Sequence, residues 1–332
     1  MGATSDHFNI PEIKTGPWTR EARWKAVEDE SLEAFIDYFG RAMQNRRWSP
    51  WHDLPVEEMR EHGHKLSKDT VDLIEGFLGI EEYVGDYVLQ GLEMFRKNRT
   101  RRNMQLQWGA EEMKHGVAWE QVLLHSGLRT EEELKAYCDQ VADNRWTTAK
   151  HKGMDTPLGV SIYAMMQERA TFYNYQQVRL RIREEYGMPE KVSKEERARG
   201  KEIGAAEAFR VVSVDEIAHH AIFLKIVQIH LKYFPEMTLE KMQEVFDGFQ
   251  MPSLRLIPNR RNFVRAVIRT NLHDADKHLY EIHNPVLAAV GLENNEALER
   301  AVQEAKLLPK GLGPQHVTLG KNGQFVISTA AD

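Results

Sequence analysis

Two histidines of this sequence each follow a glutamate by three positions, in the pairs Glu112–His115 and Glu216–His219. Apolar residues recur around both pairs at spacings of three and four, so each pair should lie on the buried face of a helix. A buried carboxylate is costly unless it is paired with a cation or bound to a metal ion. The two pairs therefore predict metal coordination between helices.

Two further glutamates, Glu81 and Glu168, occupy similar apolar faces of predicted helices. The order along the chain is Glu, Glu-x-x-His, Glu, Glu-x-x-His, which is the pattern of ferritin-like carboxylate proteins that hold two metal ions. Carboxylate oxygens can bridge two cations and balance their charge, and imidazole is a suitable ligand for iron. The six residues predict a site for two iron ions, with coordination positions left free for dioxygen.

A third pair with the same spacing, Glu61 and His64, is excluded from the predicted site. With 14 histidines in the chain, about one Glu-x-x-His is expected by chance. This pair encloses Gly63, follows a loop at Pro55 and lacks an apolar stripe. We expect it to be dispensable for metal binding.

Helical spacing runs through most of the chain, and strand-like alternation is nearly absent. This predicts an all-α fold, a ferritin-like helical bundle with extra helices, in a single domain over 1–306. The tail 307–332 differs, because two short apolar segments flank Lys321-Asn322-Gly323 and predict a β-hairpin. The predicted helices are 29–46, 67–97, 103–126, 130–143, 156–186, 195–232, 238–249 and an interrupted stretch over 273–306.

Composition excludes several classes of protein. The net charge of −6 argues against a general nucleic-acid binder. The single cysteine, Cys138, cannot form an internal disulfide or an iron–sulfur site and suits a reducing compartment. The residues from Met1 to Gly16 lack the apolar core of a signal peptide, and no apolar run is long enough to span a bilayer. We expect a soluble, cytoplasmic protein.

The residues around the predicted ligands resemble the metal motifs of the soluble acyl-acyl-carrier-protein desaturases. The resemblance covers about 45–290 and includes the pair Glu81-Glu82 ahead of Tyr87, where the family uses the first glutamate as the ligand. The strings that carry it are Ala110-Glu111-Glu112-Met113-Lys114-His115-Gly116, Gln167-Glu168-Arg169-Ala170-Thr171-Phe172, Asp215-Glu216-Ile217-Ala218-His219 and Phe249-Gln250-Met251-Pro252.

The resemblance implies an activity, a cofactor and partners. A pair of iron ions (or manganese and iron) would activate dioxygen and remove two hydrogens from an acyl chain on acyl-carrier protein. A ferredoxin-like donor would supply electrons, and the protein would be a homodimer. The implied ligands are Glu81, Glu112, His115, Glu168, Glu216 and His219.

Three other residues receive roles from the same resemblance. Thr171 matches a hydroxyl on the oxygen-binding side, and Trp108 matches an aromatic residue near the metals. Asp215 would orient a ligand histidine through a hydrogen bond.

Several positions depart from the family pattern and leave the reaction open. His220 stands where a non-histidine residue is expected, Val84-Gly85-Asp86 replaces a Leu-Pro-Thr type of sequence, and Met165 and Met166 replace a Ser-Phe type of pair. An alternative is therefore a di-iron monooxygenase or N-oxygenase that hydroxylates another small or carrier-bound substrate. An iron-storage protein is disfavoured because a minimal ferritin-like bundle needs about half of this length.

Two basic segments have competing interpretations. The run from Arg96 to Arg102 could receive an acidic carrier protein or electron donor. Its cations would equally stabilise the end of a helix and a solvated turn. The arginines 260, 261, 265 and 269 form a second candidate surface.

Overall fold

The structure is a computed structural model that describes residues 19–251 and 253–307, together with the backbone of 315–319 and 325–329. The predicted all-α fold is confirmed, since helices make up nearly all of its regular structure. The helices are α1 (Arg20–Asn45), α2 (Val56–His62), α3 (Lys68–Glu81), α4 (Val84–Met94), α5 (Arg99–His125), α6 (Glu131–Ala142), α7 (Pro157–Glu185), α8 (Lys194–Arg199), α9 (Ala205–Tyr233), α10 (Pro235–Asp247), α11 (Arg260–Arg269), α12 (Ala275–Lys277), α13 (Asn284–Ala289) and α14 (Asn295–Lys306), with a π-helix at His278–His283 between α12 and α13.

Side-chain caps fix where the site-bearing helices begin. Ser67 caps α3, Asn98 caps α5 and Thr156 caps α7, each by accepting a hydrogen bond from a backbone N–H in the first turn. Pro157 at the first position of α7 supports its start, because proline lacks the N–H that would be left unpaired there. Each of these helices carries one of the predicted ligands, Glu81 on α3, Glu112 on α5 and Glu168 on α7.

Several predictions of helix extent are wrong, including the predicted helix 29–46, which begins at Arg20 as α1. The predicted helix 67–97 is divided into α3 and α4 by a turn at Glu82 and Tyr83. The predicted helix 195–232 is divided into α8 and α9. Gly200, with a φ of 73°, ends α8 in a left-handed conformation, and Gly204, with a φ of 50°, directly precedes α9. The helices α2 and α11 were not predicted. Helix α2 has seven residues, too few for apolar spacing to stand out, whereas α11 has ten residues with clear apolar spacing.

The core lies between α3, α5, α7 and α9, with α7 and α9 packed along each other. Aromatic side chains pack together within this core. The ring centroids of Trp119 and Phe209 are 4.3 Å apart, and those of Trp119 and Tyr175 are 5.0 Å apart. Helix α1 lies across α5 and α9. No helix among the described residues is long and apolar enough to cross a membrane.

Two strands follow the helices, β1 (Gln315–Leu319) and β2 (Phe325–Thr329). They pair antiparallel, with Leu319 opposite Phe325 and Gln315 opposite Thr329. The predicted turn Lys321-Asn322-Gly323 and the N-terminal segment Met1–Gly16 lie outside the described residues. The division into a domain over 1–306 and a tail remains a prediction.

Candidate metal centre

The structure brings all six predicted ligands together inside the bundle. Their ligand atoms form two overlapping groups, and within each group these atoms lie within 4.8 Å of one another. Both groups contain Glu112 of α5 and Glu216 of α9. The first group adds Glu81 and His115, and the second adds Glu168 and His219. Two groups with two shared carboxylates form the arrangement needed for a pair of bridged metal ions.

The inner atoms of this cluster are buried without hydrogen-bond partners. They are Oε1 of Glu112, Oε2 of Glu168, both carboxylate oxygens of Glu216 and Nδ1 of His115 and His219. His219 Nδ1 lies 2.7 Å from Glu112 Oε1, and His115 Nδ1 lies 3.2 Å from Glu216 Oε1, yet neither contact has the angles of a hydrogen bond. Buried polar atoms are rarely left unpaired. The donor set therefore fits metal ions placed between these residues.

The outer nitrogen of each histidine is held by an acid that belongs to the other Glu-x-x-His helix. His115 Nε2 lies 3.3 Å from Asp215 Oδ2 on α9, and His219 Nε2 lies 3.1 Å from Glu111 Oε2 on α5. If each Nε2 donates a proton to its acid, each Nδ1 is left as the ligand atom. Asp215 therefore contacts a predicted ligand histidine, as the sequence led us to expect, and Glu111 is its counterpart.

Basic and aromatic residues hold these two acids, and most of them come from outside the ligand helices. Arg46, directly after α1, lies 3.3 Å from Glu111 and 3.4 Å from Asp215. Asp215 also accepts hydrogen bonds from Trp48 Nε1 at 2.9 Å and Lys114 Nζ at 3.0 Å. Burial opposes ionisation of Glu111, but hydrogen bonds from His219 and Tyr38 and the charge of Arg46 lower its pKa to about 2. Glu111 therefore remains a hydrogen-bond acceptor at neutral pH.

The other predicted residues are also buried near the cluster. Trp108 Nε1 donates a hydrogen bond to Glu168 Oε1 at 2.9 Å. Thr171 lies buried one turn beyond Glu168 on α7. His220 Nδ1 lies 2.8 Å from the Met165 carbonyl, so it contacts the backbone of α7. Glu61 and His64 are exposed.

Sequence reasoning missed five residues around the cluster. Tyr175 donates a hydrogen bond to Glu81, Glu111 is one of the two outer acids, and the other three contact Glu111 or Asp215. Glu111 had a usable signal, because an acid directly precedes both Glu-x-x-His pairs. The residues from α1 and the following turn had none, since only the tertiary fold brings them to the cluster. The missed residues are Glu111, Tyr38, Arg46, Trp48 and Tyr175.

Without bound metal, the cluster retains protons. Burial raises the pKa values of Glu81 and Glu168 well above the usual range, and the charges of Glu112 and Glu216 raise them further. Burial alone would lower the pKa of His115, but Glu112 and Glu216 outweigh it and raise that pKa. Metal ligands must be deprotonated. Metal binding at neutral pH should therefore release protons.

We expect calorimetric titration with Mn²⁺ in buffers of different ionisation enthalpy to show release of more than one proton per chain. The apparent affinity should rise with pH, because the raised pKa values favour the protonated, metal-free state as pH falls. Binding heats that do not depend on the buffer, with affinity unchanged between pH 6 and pH 8, would contradict this prediction.

Comparisons with known proteins agree with this geometry. A family model described as fatty acid desaturase matches residues 49–307. A solved structure of the putative acyl-ACP desaturase DesA2 from Mycobacterium tuberculosis H37Rv matches at 13% identity and a TM-score of 0.55, covering 84% of this chain and 99% of the other. This likeness confirms the ferritin-like desaturase fold.

A weaker structural match is an R2-like ligand-binding oxidase with a Mn/Fe cofactor, at 14% identity and a TM-score of 0.46, covering 82% of this chain and 92% of the other. No curated protein sequence matches the chain. The family model spans all six clustered residues and well over half of the sequence. The chain belongs to the fatty acid desaturase family.

Proposed function

We propose that this protein is a di-iron, dioxygen-dependent desaturase that introduces a double bond into an acyl chain carried on acyl-carrier protein. The observation that carries the proposal is the pair of overlapping ligand groups, joined by Glu112 and Glu216, in a member of the fatty acid desaturase family. A ferredoxin-like protein is the proposed electron donor. The proposed location is the cytoplasm.

Glu81, Glu112 and His115 would hold one ion with Glu216, while Glu168 and His219 would hold the second with the same two shared carboxylates. Four carboxylates balance the charge of two divalent ions and leave both imidazoles neutral. When bound, redox-active ions supply the reduction of dioxygen that removes two hydrogens from a hydrocarbon. Iron at both positions and a manganese–iron pair suit this donor set equally well.

The protein's own residues would prepare this chemistry in three ways. Asp215 and Glu111 fix the tautomer and ring orientation of the two histidines. The hydrogen bond from Trp108 orients Glu168. Complete burial of the ligand side chains excludes bulk water, so charges placed here interact strongly.

An apolar cavity of about 40 Å³ is lined in part by Trp108, which also donates the hydrogen bond to Glu168. Its apolar lining suits a hydrocarbon better than a polar substrate. An acyl chain would have to displace side chains to fill it, and the unbranched Met94 and Met154 can move at low cost. The residues that line it include Tyr87, Met94, Trp108, Trp146, Met154 and Phe223.

The decisive experiment is mass spectrometry of products made from acyl-carrier-protein substrates with oxygen and a ferredoxin system. A desaturase gives products that have lost two hydrogens. The small cavity favours one alternative, a di-iron monooxygenase or N-oxygenase for a small substrate, whose product gains one oxygen. If the enzyme reduces oxygen but changes no acyl-carrier-protein substrate, the desaturase proposal is wrong and the small-substrate oxygenase is favoured.

The exposed cations before α5 are the proposed contact for an acidic carrier protein. Arg96, Lys97 and Arg99 are exposed, but Arg101 is not available. The Arg101 guanidinium is buried over the Phe95 ring and donates a hydrogen bond to Ser161 Oγ at 2.6 Å. Arg101 is therefore left out of the proposed contact.

We expect the double variant Arg96→Glu/Arg99→Glu to raise the KM for acyl-carrier protein about tenfold at low salt, with little change in kcat. The effect should shrink above physiological ionic strength, where the Debye length falls below about 8 Å. Lys191→Glu/Lys194→Glu makes the same charge change at exposed residues near α8 and is the matched control. If both double variants change the KM equally, Arg96 and Arg99 do not form a specific contact with acyl-carrier protein.

Thr171 is the proposed hydrogen-bond donor on the oxygen-binding side. Thr238 and Thr270 donate their hydroxyls to carbonyls one turn back, whereas the Thr171 hydroxyl makes no such bond to any described residue. We expect Thr171→Val to keep both metal ions but to lower product formation about 100-fold, with oxygen consumed without product. Thr238→Val is the control for loss of a buried hydroxyl. If the two variants show the same activity, Thr171 has no special role.

A further inference from the structure

Arg101 is a buried cation without a counter-charge among the described residues. Its side chain belongs to a residue that is only 5% exposed, and no described carboxylate forms an ion pair with it. Arg46 and Arg183 are buried as well, but each of them pairs with two carboxylates. Burial lowers the pKa of the Arg101 guanidinium to about 10, so it is still charged at neutral pH. Because a buried charge without a partner is costly, this position indicates a bound anion.

The Arg101 guanidinium also has a hydrogen-bond donor to spare. Nη2 donates to Ser161 Oγ at 2.6 Å, and the central carbon lies 4.5 Å from the centre of the Phe95 ring. Nε is buried and has no hydrogen-bond partner among the described residues. His230 supplies no charge, because burial, together with the charge of Arg101, lowers its pKa to about 4. The planar fork of an arginine matches the two oxygens of a carboxylate.

Arg101 lies at the end of the apolar cavity that is remote from the candidate metal centre. Two hydrogen bonds join α5 to α7, one from Trp108 to Glu168 at the metal cluster and one from Arg101 to Ser161, seven residues earlier on both helices. Seven residues of helix span about 10 Å. The cavity residues of α5 and α7 lie between these two bonds or directly beside them, and they are Gln105, Trp108, Val160, Tyr163, Ala164 and Gln167. A hydrocarbon chain that extends through the cavity from the metal centre therefore runs toward Arg101.

We propose that Arg101 binds a carboxylate at the end of an aliphatic chain that occupies this cavity. The apolar lining suits the chain, and the free donor of the guanidinium suits the carboxylate. The carboxylate can come from two sources, the far end of a chain whose other end is a thioester or the acid group of a free fatty acid. This proposal rests on the proposed function only in treating the cavity as the place of the hydrocarbon. Its tests measure binding without turnover, so a failure of the desaturase reaction is recognised separately.

The first test is isothermal titration calorimetry on the full chain, without oxygen or an electron donor. The probes are the N-acetylcysteamine monothioester of dodecanedioic acid, the methyl ester of that compound at its free acid group, and dodecanoate. At least one of the two carboxylates should bind about 100-fold more tightly than the methyl ester, because a buried guanidinium–carboxylate pair forms strong charge-assisted hydrogen bonds. The carboxylate that binds more tightly identifies the source. Equal affinities for all three probes, or displacement of the carboxylate by acetate at a similar concentration, would overturn the proposal.

The same titrations on variants test the residue. Arg101→Met should abolish the preference for a carboxylate over the methyl ester. Arg101→Lys should reduce it about tenfold, because lysine keeps the charge but not the fork. Lys194→Met removes an exposed cation of α8 and is the control, which should bind all three probes like wild type. A carboxylate preference that survives in Arg101→Met would show that another group binds the acid.

Thermal unfolding separates this ligand-binding role from a structural one. Without a probe, Arg101→Met should keep or raise the Tm, because it removes a buried charge that has no partner. Arg183→Met should lower the Tm, because it leaves Glu196 and Glu202 without their buried cation. The carboxylate that binds more tightly should raise the Tm of wild type but not that of Arg101→Met. If Arg101→Met lowers the Tm as Arg183→Met does, Arg101 is paired within the chain and the proposal is wrong.

Discussion

Glu112→Gln and Glu216→Gln should each reduce bound metal from two ions per chain to less than one. Each of these side chains belongs to both ligand groups, so each substitution removes a charged donor from both ions. Glutamine keeps the shape of the side chain and removes the negative charge that offsets the cations. By contrast, Glu81→Gln and Glu168→Gln should leave about one ion, because each belongs to a single group. Metal content after dialysis, measured by inductively coupled plasma mass spectrometry, tests this order.

The exposed pair Glu61 and His64 provides the matched control, since it has the same spacing outside the core. Glu61→Gln and His64→Ala should keep both ions. The assignment fails if both ions remain in Glu112→Gln and Glu216→Gln, or if the control variants lose metal. If Glu81→Gln and Glu168→Gln lose as much metal as Glu112→Gln and Glu216→Gln, the cluster still binds metal, but Glu112 and Glu216 do not bridge two ions.

The clustering of the six candidate ligands could be predicted because these residues follow two local patterns at once. Glu112, His115, Glu216 and His219 lie at helical spacing on apolar faces, where an unpaired charge would be destabilising. Two such pairs separated by single glutamates are rare enough to indicate one site. The helices that carry them were also predictable, because long amphipathic segments have clear apolar spacing.

The remainder of the site depends on tertiary packing. Tyr38 and Arg46 contact Glu111 across 73 and 65 positions of sequence, and no local pattern links them. The division between α3 and α4 was missed because apolar residues recur at helical spacing on both sides of Glu82 and Tyr83. The burial of Arg101 has no local signal either, since it lies in a run of cations in which Arg99 is exposed and Arg102 is half-buried. In each case the tertiary fold, and not the adjacent residues, determines whether a side chain is buried and what it contacts.

The two outer acids should have separable effects on the two ions. Asp215 contacts His115, which belongs to the first ligand group, and Glu111 contacts His219, which belongs to the second. Asp215→Asn and Glu111→Gln keep the size of each side chain and remove its charge. Loss of a hydrogen-bond partner behind a ligand histidine typically costs about 10- to 100-fold in metal affinity. Each variant should therefore bind one ion normally and the other about 10- to 100-fold more weakly.

Competition with a chelator, followed through two Mn²⁺ binding steps, would measure both affinities in each variant. Double variants identify which ion is weakened. Adding Asp215→Asn to Glu81→Gln should cost little further occupancy, because both changes act on the first group, while adding Glu111→Gln to Glu81→Gln should weaken the remaining ion. Arg46 contacts both acids, so Arg46→Met should weaken both ions together. If Asp215→Asn and Glu111→Gln instead lower the affinity for the same ion, the prediction is wrong. The two acids would then not act on separate metal positions, and the cluster would respond as one unit.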